Sequence, residues 1–138
     1  MSALPQDWGL PELTDLNRAW FTSGSLAIQR CASCSTLQHP PEEVCHACGA
    51  MAFDVEVLAP RGTVHSYTVV HYAANPALAE AVPYTVVLVS LDDAPHLRVV
   101  GDVEGDVTVE IGMPVVPYWD DRTSSEGELI RLPRWRPA

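Results

Sequence analysis

Apolar and polar positions divide the chain into a short helical lead and a longer β-textured remainder. Leu13, Leu16, Trp20 and Phe21 recur at helical spacing, Pro11 suits a first-turn position and Gly24 is a stop signal, so the spacing predicts a helix over 12–22. Leu26 to Arg30 reads as a short strand, and Pro40 and Pro41 then break the chain. From residue 51 onward the texture is β. Phe53–Leu58 is a predicted strand, Arg61-Gly62 a turn, and Thr63–Tyr72 an alternating strand rich in β-branched and aromatic residues. Tyr84–Leu91 (YTVVLVSL) is almost wholly apolar, as a central strand should be. Asp92-Asp93-Ala94-Pro95 reads as a hairpin-type turn with Leu97–Val103 returning from it, and Val107–Ile111, Val115–Trp119 and Leu129–Leu132 read as shorter strands. Ala73–Pro83 is too long for a tight hairpin, and Asp120–Glu128 reads as a polar, mobile loop. Five or six short strands with Gly, Pro and Asp between them predict a small barrel, closed or partly open.

Between the helix and the barrel lies C-x2-C-x10-C-x2-C, formed by Cys31, Cys34, Cys45 and Cys48, which are all the cysteines of the chain. Each C-x2-C turn sets two thiolates on one side of a knuckle, and two facing knuckles complete a tetrahedron, so the pattern predicts one structural zinc. A tetrahedral S4 set also suits iron, as in a rubredoxin-like site, although the short gap and the absence of proline inside the knuckles favour zinc. Redox chemistry ordinarily uses a single pair at a helix start, and two disulfides need an oxidising compartment. Four thiolates leave no position for water or substrate, so this metal is not expected to do catalysis.

Composition narrows the classes further. The chain has 138 residues, 47% hydrophobic and 19% charged, which fits a folded globular domain rather than a disordered one. No apolar run reaches the roughly 18 residues that a membrane span needs. The first twenty residues carry neither a basic n-region nor a continuous apolar stretch, so no export signal and a cytoplasmic location are expected. The formal net charge is −10, and the eight basic residues are all arginine. Such a chain repels phosphate backbones, which disfavours nucleic acid as a partner. No nucleophile elbow, P-loop, dinucleotide fingerprint or H-E-x-x-H is present. His39 and His46 fall within the ribbon and read as surface or supporting residues rather than ligands. His65 and His71, six apart on one candidate strand, share a face and form the only candidate catalytic pair, although a sheet-surface position explains them as well.

The ordered set of NRAWFTSGSLAIQRC, CASCSTLQHPPEEVCHACG, RGTVHSYTVVH, PYTVVLVSLDDAPHLRVVGDV, IGMPVVPYW and LPRWRPA resembles a family of zinc-ribbon plus OB-fold proteins, long known as a domain of unknown function, that partner thiolase-like acyl-CoA enzymes. The resemblance implies a mainly β fold: an N-terminal helix over 1–25, a rubredoxin-like zinc ribbon over 26–52, and a five- to six-stranded OB-fold barrel with a C-terminal tail over 53–138. It implies a non-catalytic accessory subunit that stabilises a thiolase-fold partner of retro-aldolase, thiolase or acyltransferase type, steroid side-chain degradation included, and helps shape the acyl-CoA channel. In such complexes the ribbon and the N-terminal helix contribute to the subunit contact and the barrel lies near the acyl-CoA. The candidate contacts to partner or acyl-CoA are Trp20, Arg61, Tyr67, His71, Tyr84, Arg98 and Trp135, with further charge from Arg131, Arg134 and Arg136. Two other readings compete: a nucleic-acid-binding zinc-ribbon/OB module, and an autonomous acyl-CoA hydrolase or hydratase using His65 or His71.

Overall fold

The computed structural model describes residues 2–138. The N-terminal helix α1 runs over Arg18–Thr22, shorter than the predicted 12–22. The preceding turn is closed by side chains instead. Thr14 N donates to Asn17 Oδ1 (2.8 Å), while Asn17 N donates to Thr14 Oγ1 (3.3 Å). This reciprocal pair has the form of a capping box and holds the chain in a turn before the helix begins.

Strands β1 (Leu26–Cys31), β2 (Leu37–Gln38) and β3 (Phe53–Leu58) form one antiparallel sheet in the order β2-β1-β3. β3 lies beyond the ribbon in sequence, yet it pairs with β1 along its whole length, from Leu26↔Leu58 to Cys31↔Phe53. The knuckles are therefore carried on a two-stranded stem whose root reaches the barrel. Leu26, Ile28 and Leu58 on the inner face of that stem join the same buried cluster as Val64, Val87, Val89 and Trp135.

Five strands build the barrel: β4 (Gly62–Val70), β5 (Tyr84–Leu91), β6 (Ala94–Asp102), β7 (Pro114–Thr123) and β8 (Leu129–Pro137), in the order β6-β5-β4-β7-β8. The sheet curls without closing. β6 and β8 share no ladder, and β4 meets β7 only at Gly62↔Val115 and Thr63↔Pro114. At the open seam Trp135 packs on Gly101, where a Cβ would lie 2.7 Å from Trp135 Cδ1 and 3.1 Å from Pro133 O. A side chain there would force the two strands apart.

Three further predicted elements differ. Val107–Ile111 forms no strand, because the segment is folded back by turns: Val107 N donates to Glu104 O, and Met113 N donates to Glu110 O. Val103 and Val109 still point inward and cap one end of the core. Conversely, Asp120–Thr123 and Arg134–Pro137 are strand rather than loop and tail, since β7 and β8 pair without interruption from Val115↔Pro137 to Thr123↔Leu129. β8 tolerates Pro133 and Pro137 because it is an edge strand with no ladder on its other side.

Candidate metal centre

The two knuckles repeat one backbone design. In the first, Ser35 N donates to Cys31 O (3.0 Å) and Cys31 N donates to Thr36 O (2.9 Å); in the second, Gly49 N donates to Cys45 O (2.9 Å) and Cys45 N donates to Ala50 O (2.8 Å). Each turn requires a left-handed residue directly after its second cysteine. Gly49, at φ +78°, supplies it freely, whereas Ser35, at φ +62°, adopts a conformation that costs an L side chain some energy. The result is four sulfurs facing a common centre. Cys31 and Cys48 Sγ are 3.6 Å apart, as are Cys34 and Cys45, and all four lie within 4.8 Å of one another.

These distances fit zinc. A tetrahedron with Zn–S of about 2.3 Å has S···S edges of about 3.8 Å. A disulfide needs about 2.05 Å, so the cysteines are not paired as bridges. Three of the thiols are perturbed. The side-chain and backbone hydrogen bonds of Thr36 bring the Cys34 thiol down to about 6, and the Cys31 thiol is lowered chiefly by the Cys34 backbone. The Ala50 amide favours the Cys48 thiolate, but the crowding thiols of Cys31 and Cys34 outweigh it and push Cys48 up to about 12. Four thiolates at this spacing need a shared cation, which a divalent ion provides. Cys31 and Cys45 are buried against the stem, and Cys34 and Cys48 face outward.

A second feature of the ribbon was not legible in the cysteine pattern. Gln29 and Gln38 are buried side by side, with Gln38 Nε2 donating to Gln29 Oε1 (2.7 Å). Gln29 accepts from Glu42 N (3.0 Å) and donates to Glu42 O (2.8 Å); Gln38 donates to Val44 O (3.2 Å) and accepts from His46 N (3.1 Å). This amide pair pins the loop between the knuckles to the sheet. His39 packs against Trp20 in a tilted contact, 4.3 Å between ring centroids and 52° between planes, and burial lowers its imidazole to about 4, so it is neutral at physiological pH. His46 Nδ1 lies 2.7 Å from Gln38 Oε1, and His96 Nε2 lies 3.2 Å from Leu37 O. These rings line a concavity of about 870 Å³ but support the ribbon. Among the described residues, the four cysteines are the only group placed to hold a metal.

The remaining site candidates separate. Arg61 and Arg98 flank the β5–β6 turn, where Arg61 Nε is 4.0 Å from Asp92 Oδ2 and Arg98 donates to Pro95 O (2.8 Å). Tyr67, His71 and Tyr84 lie farther along the β4–β5 hairpin: at about 3.3 Å per residue Tyr67, opposite Val87, is roughly 10 Å and Tyr84 roughly 20 Å along β5 from the Ser90–Arg98 rung. His65 and His71 do not share an unbroken strand. The register shifts between Val64 and Ser66, and β4 stops at Val70. Both histidines are exposed, and among the described residues neither makes a hydrogen bond, so nothing orients either as a base.

Trp135 is a correction. It is fully buried in the barrel core and offers no surface to a partner. Trp20 is buried as well, with one edge lining a groove. Two of the three C-terminal arginines are also engaged internally, and Arg136 is exposed. Arg134 is buried against Asp102 (2.6 Å) and Glu104 (3.1 Å), and Arg131 Nε lies 3.3 Å from Asp121. Arg122, which sequence reasoning passed over, is buried against Asp120 (2.9 Å) and donates to Pro5 O (2.6 Å) and Leu4 O (3.0 Å), fastening the N-terminal segment to the barrel. Tyr118 is pushed up to about 12, by burial first and then by its hydrogen bond to Glu104. Arg18 and Arg61 also face carboxylates, whereas Arg30, Arg98 and Arg136 have none within 4.0 Å among the described residues.

Fold and metal centre together define a class: a zinc ribbon rooted in an open OB-type barrel, with chemistry-bearing side chains spent on structure. Residues 22–54 match the model of the ChsH2 rubredoxin-like zinc ribbon domain, and residues 55–120 match that of the ChsH2 C-terminal OB-fold domain. The chain belongs to this ChsH2/DUF35 family. A solved chain described as "Ltp2-ChsH2(DUF35) aldolase" is 38% identical and superposes with a TM-score of 0.75, covering 93% of this chain and 98% of that one. The "Probable enoyl-CoA hydratase alpha subunit" of Thermomonospora curvata is 40% identical over 133 residues, which are 93% of this chain and 39% of that protein. The "3-oxo-4,17-pregnadiene-20-carboxyl-CoA hydratase alpha subunit" of Mycobacterium tuberculosis is 36% identical over 103 residues, 70% of this chain and 32% of that protein. The chain thus spans under two fifths of these two curated relatives. No helix among the described residues is long and apolar enough to cross a membrane.

Proposed function

We propose that this chain is a non-catalytic accessory subunit of a thiolase-fold acyl-CoA enzyme, within a complex that makes or breaks a carbon–carbon bond as a retro-aldolase does. The observation that carries this reading is the match to nearly the whole length of a chain from an Ltp2-ChsH2 aldolase. The site geometry supports it. The metal site is enclosed by four thiolates, the histidines are exposed and unoriented or committed to the ribbon, and among the described residues no serine, threonine or cysteine side chain is hydrogen-bonded to a histidine ring. Chemistry would then belong to the partner, and this chain would stabilise the partner and border its acyl-CoA channel. Exposed Tyr67 and His71 and half-buried Tyr84, along the β4–β5 hairpin, are the proposed contacts to the acyl chain or partner. Arg61 and Arg98 are the side chains proposed to meet CoA phosphates, with the partner supplying most of the charge. A steroid side chain is the proposed acyl group, from the name of the mycobacterial relative.

The names of the two longer relatives favour a second reading, hydration of an enoyl-CoA by an assembly of which this chain is part. Assays separate the two. The purified chain alone should turn over neither a β-hydroxyacyl-CoA nor an enoyl-CoA. Added to its thiolase-fold partner, it should raise retro-aldol cleavage of the β-hydroxyacyl-CoA and leave enoyl-CoA untouched. Turnover by the isolated chain that is lost in His71→Ala would overturn the proposal.

A further inference from the structure

The outer face of the stem carries apolar side chains that the core does not use. Alternation along β3 puts Phe53, Val55 and Val57 on the face opposite Leu58, and the chain leading into it exposes Met51. Val55 is 53% exposed, Val57 63% and Met51 72%, and none of the three belongs to the buried cluster. Across from them, Leu16, Ala19 and the edge of Trp20 form a second wall, leaving a groove of about 390 Å³ between the N-terminal helix, the inter-knuckle loop and β3. Among the described residues β3 has β1 on one side and no strand on the other, so its outer edge is open to pairing.

The rim of this groove has one sign. Asp15, Glu42 and Glu43 line it, no arginine or histidine does, and none of the three carboxylates is ion-paired among the described residues. Asp102, Asp120 and Asp121, by contrast, each face an arginine. An apolar floor inside an unpaired acidic rim is complementary to a segment that presents apolar side chains flanked by lysine or arginine. A second copy of this chain is the poorer occupant. Edge-to-edge pairing of two β3 strands would bring Asp54 and Glu56 of each copy against the same charges, on a chain whose net charge is −10.

We propose that this groove is a docking site for a basic, apolar segment of a partner protein, gripped by Ala19, Met51, Phe53 and Val55 and held in register by the three rim carboxylates. The inference rests on the accessory-subunit reading only for the identity of that partner; the chemistry of the segment is read from the groove itself.

The test has two arms. In the first, a synthetic leucine/lysine helical peptide of about 18 residues is titrated into the zinc-loaded, isotopically labelled chain at moderate salt, with a leucine/glutamate peptide as control. Amide shifts should concentrate at residues 15–20, 42–43 and 51–57. Val55→Glu, and separately Glu42→Lys with Glu43→Lys, should each weaken binding about tenfold, a loss of about 1.4 kcal/mol. Both variants alter exposed positions, so their unchanged spectra away from the groove verify the fold. Shifts spread over the acidic surface, or equal affinity in both variants, would overturn the site. In the second arm, the complex of the full chain with its thiolase-fold partner is cross-linked with a carbodiimide, and links from Asp15, Glu42 or Glu43 to partner lysines are expected. Links confined to other carboxylates would overturn the groove while leaving the accessory-subunit reading intact. Absence of any complex would count against that reading and leave the peptide arm to decide the groove. Self-association of the chain that is abolished by Val57→Glu would show a second copy to be the occupant and overturn the proposal.

Discussion

Between Ala32 and Ala52 only Gln38 and Cys45 are buried, whereas the barrel closes Val64, Val87, Val89, Leu91, Val99 and Val115 around Trp135. The knuckle tip is thus held by four sulfurs and one buried amide pair, and the barrel by apolar packing. The stem β1/β3 belongs to both: its outer end carries Cys31, and its root contributes Leu26, Ile28 and Leu58 to the barrel core. The contrast teaches where the chain needs metal and where it does not. A segment this small cannot bury enough apolar surface to offset its ordering entropy, so a metal supplies the difference. The barrel has the surface to bury and spends its polar side chains on closing gaps between strands, as Arg134 does between β6 and β8.

The contrast breaks most sharply on metal removal. Structural zinc is worth on the order of 10–16 kcal/mol in small peptides. Chelation, or Cys45→Ser, should therefore disorder residues 32–52, seen as rapid amide exchange, while the strands β4–β8 and the stem residues Leu26 and Ile28 remain protected. Loss of protection throughout would mean that the tip and barrel fold as one unit. The reverse experiment is Trp135→Ala, which removes the largest fully buried side chain and should cost about 3–5 kcal/mol in thermal or denaturant unfolding. Below the new midpoint, the variant should still bind one zinc.

Smaller effects sharpen the boundary. Gly101→Ala should cost about 1–3 kcal/mol, because the new methyl meets the Trp135 ring and Pro133 O across the open seam; an unchanged melting temperature would show that the seam yields. Gln38→Ala should cost about 1–3 kcal/mol by leaving Gln29 and the Val44 and His46 backbone groups short of partners. Its mark should be faster amide exchange confined to residues 39–46, with the barrel unaffected. The smallest signal is the titration of His39. Its folded value, about 4, lies below the unfolded 6.5, so the unfolded chain binds the extra proton first. Its contribution to stability is full above pH 6.5 and fades as pH falls toward 4. A ring titration followed by NMR should place the His39 midpoint near 4, and a midpoint near 6.5 would show the Trp20 contact to be open.

The metal centre was readable because its chemistry is local: spacing alone brings Cys31 to Cys34 and Cys45 to Cys48, and a left-handed Gly49 follows. The central strand Tyr84–Leu91 and the turn at Asp92-Asp93 were readable for the same reason. What failed to show was decided by partners distant in sequence. Leu13 and Leu16 keep helical spacing, but the Thr14–Asn17 bonds delay the helix. Arg134, Trp135 and Arg136 look like a polar tail until β7 pairs with them and buries two of the three. The amide pair Gln29–Gln38 carries no motif, since its meaning depends on which backbone groups the fold leaves uncovered. Arg122 is legible only once the N-terminal segment lies across it.

The account rests on this chain acting through a partner. Native mass spectrometry of the affinity-purified chain from its own cells tests that most directly. The predicted spectrum holds a hetero-oligomer with a thiolase-fold subunit and one zinc per copy of this chain, and dissociated material has no acyl-CoA turnover until the two are recombined. A lone zinc-bound chain with no such subunit, active on acyl-CoA by itself, would contradict it.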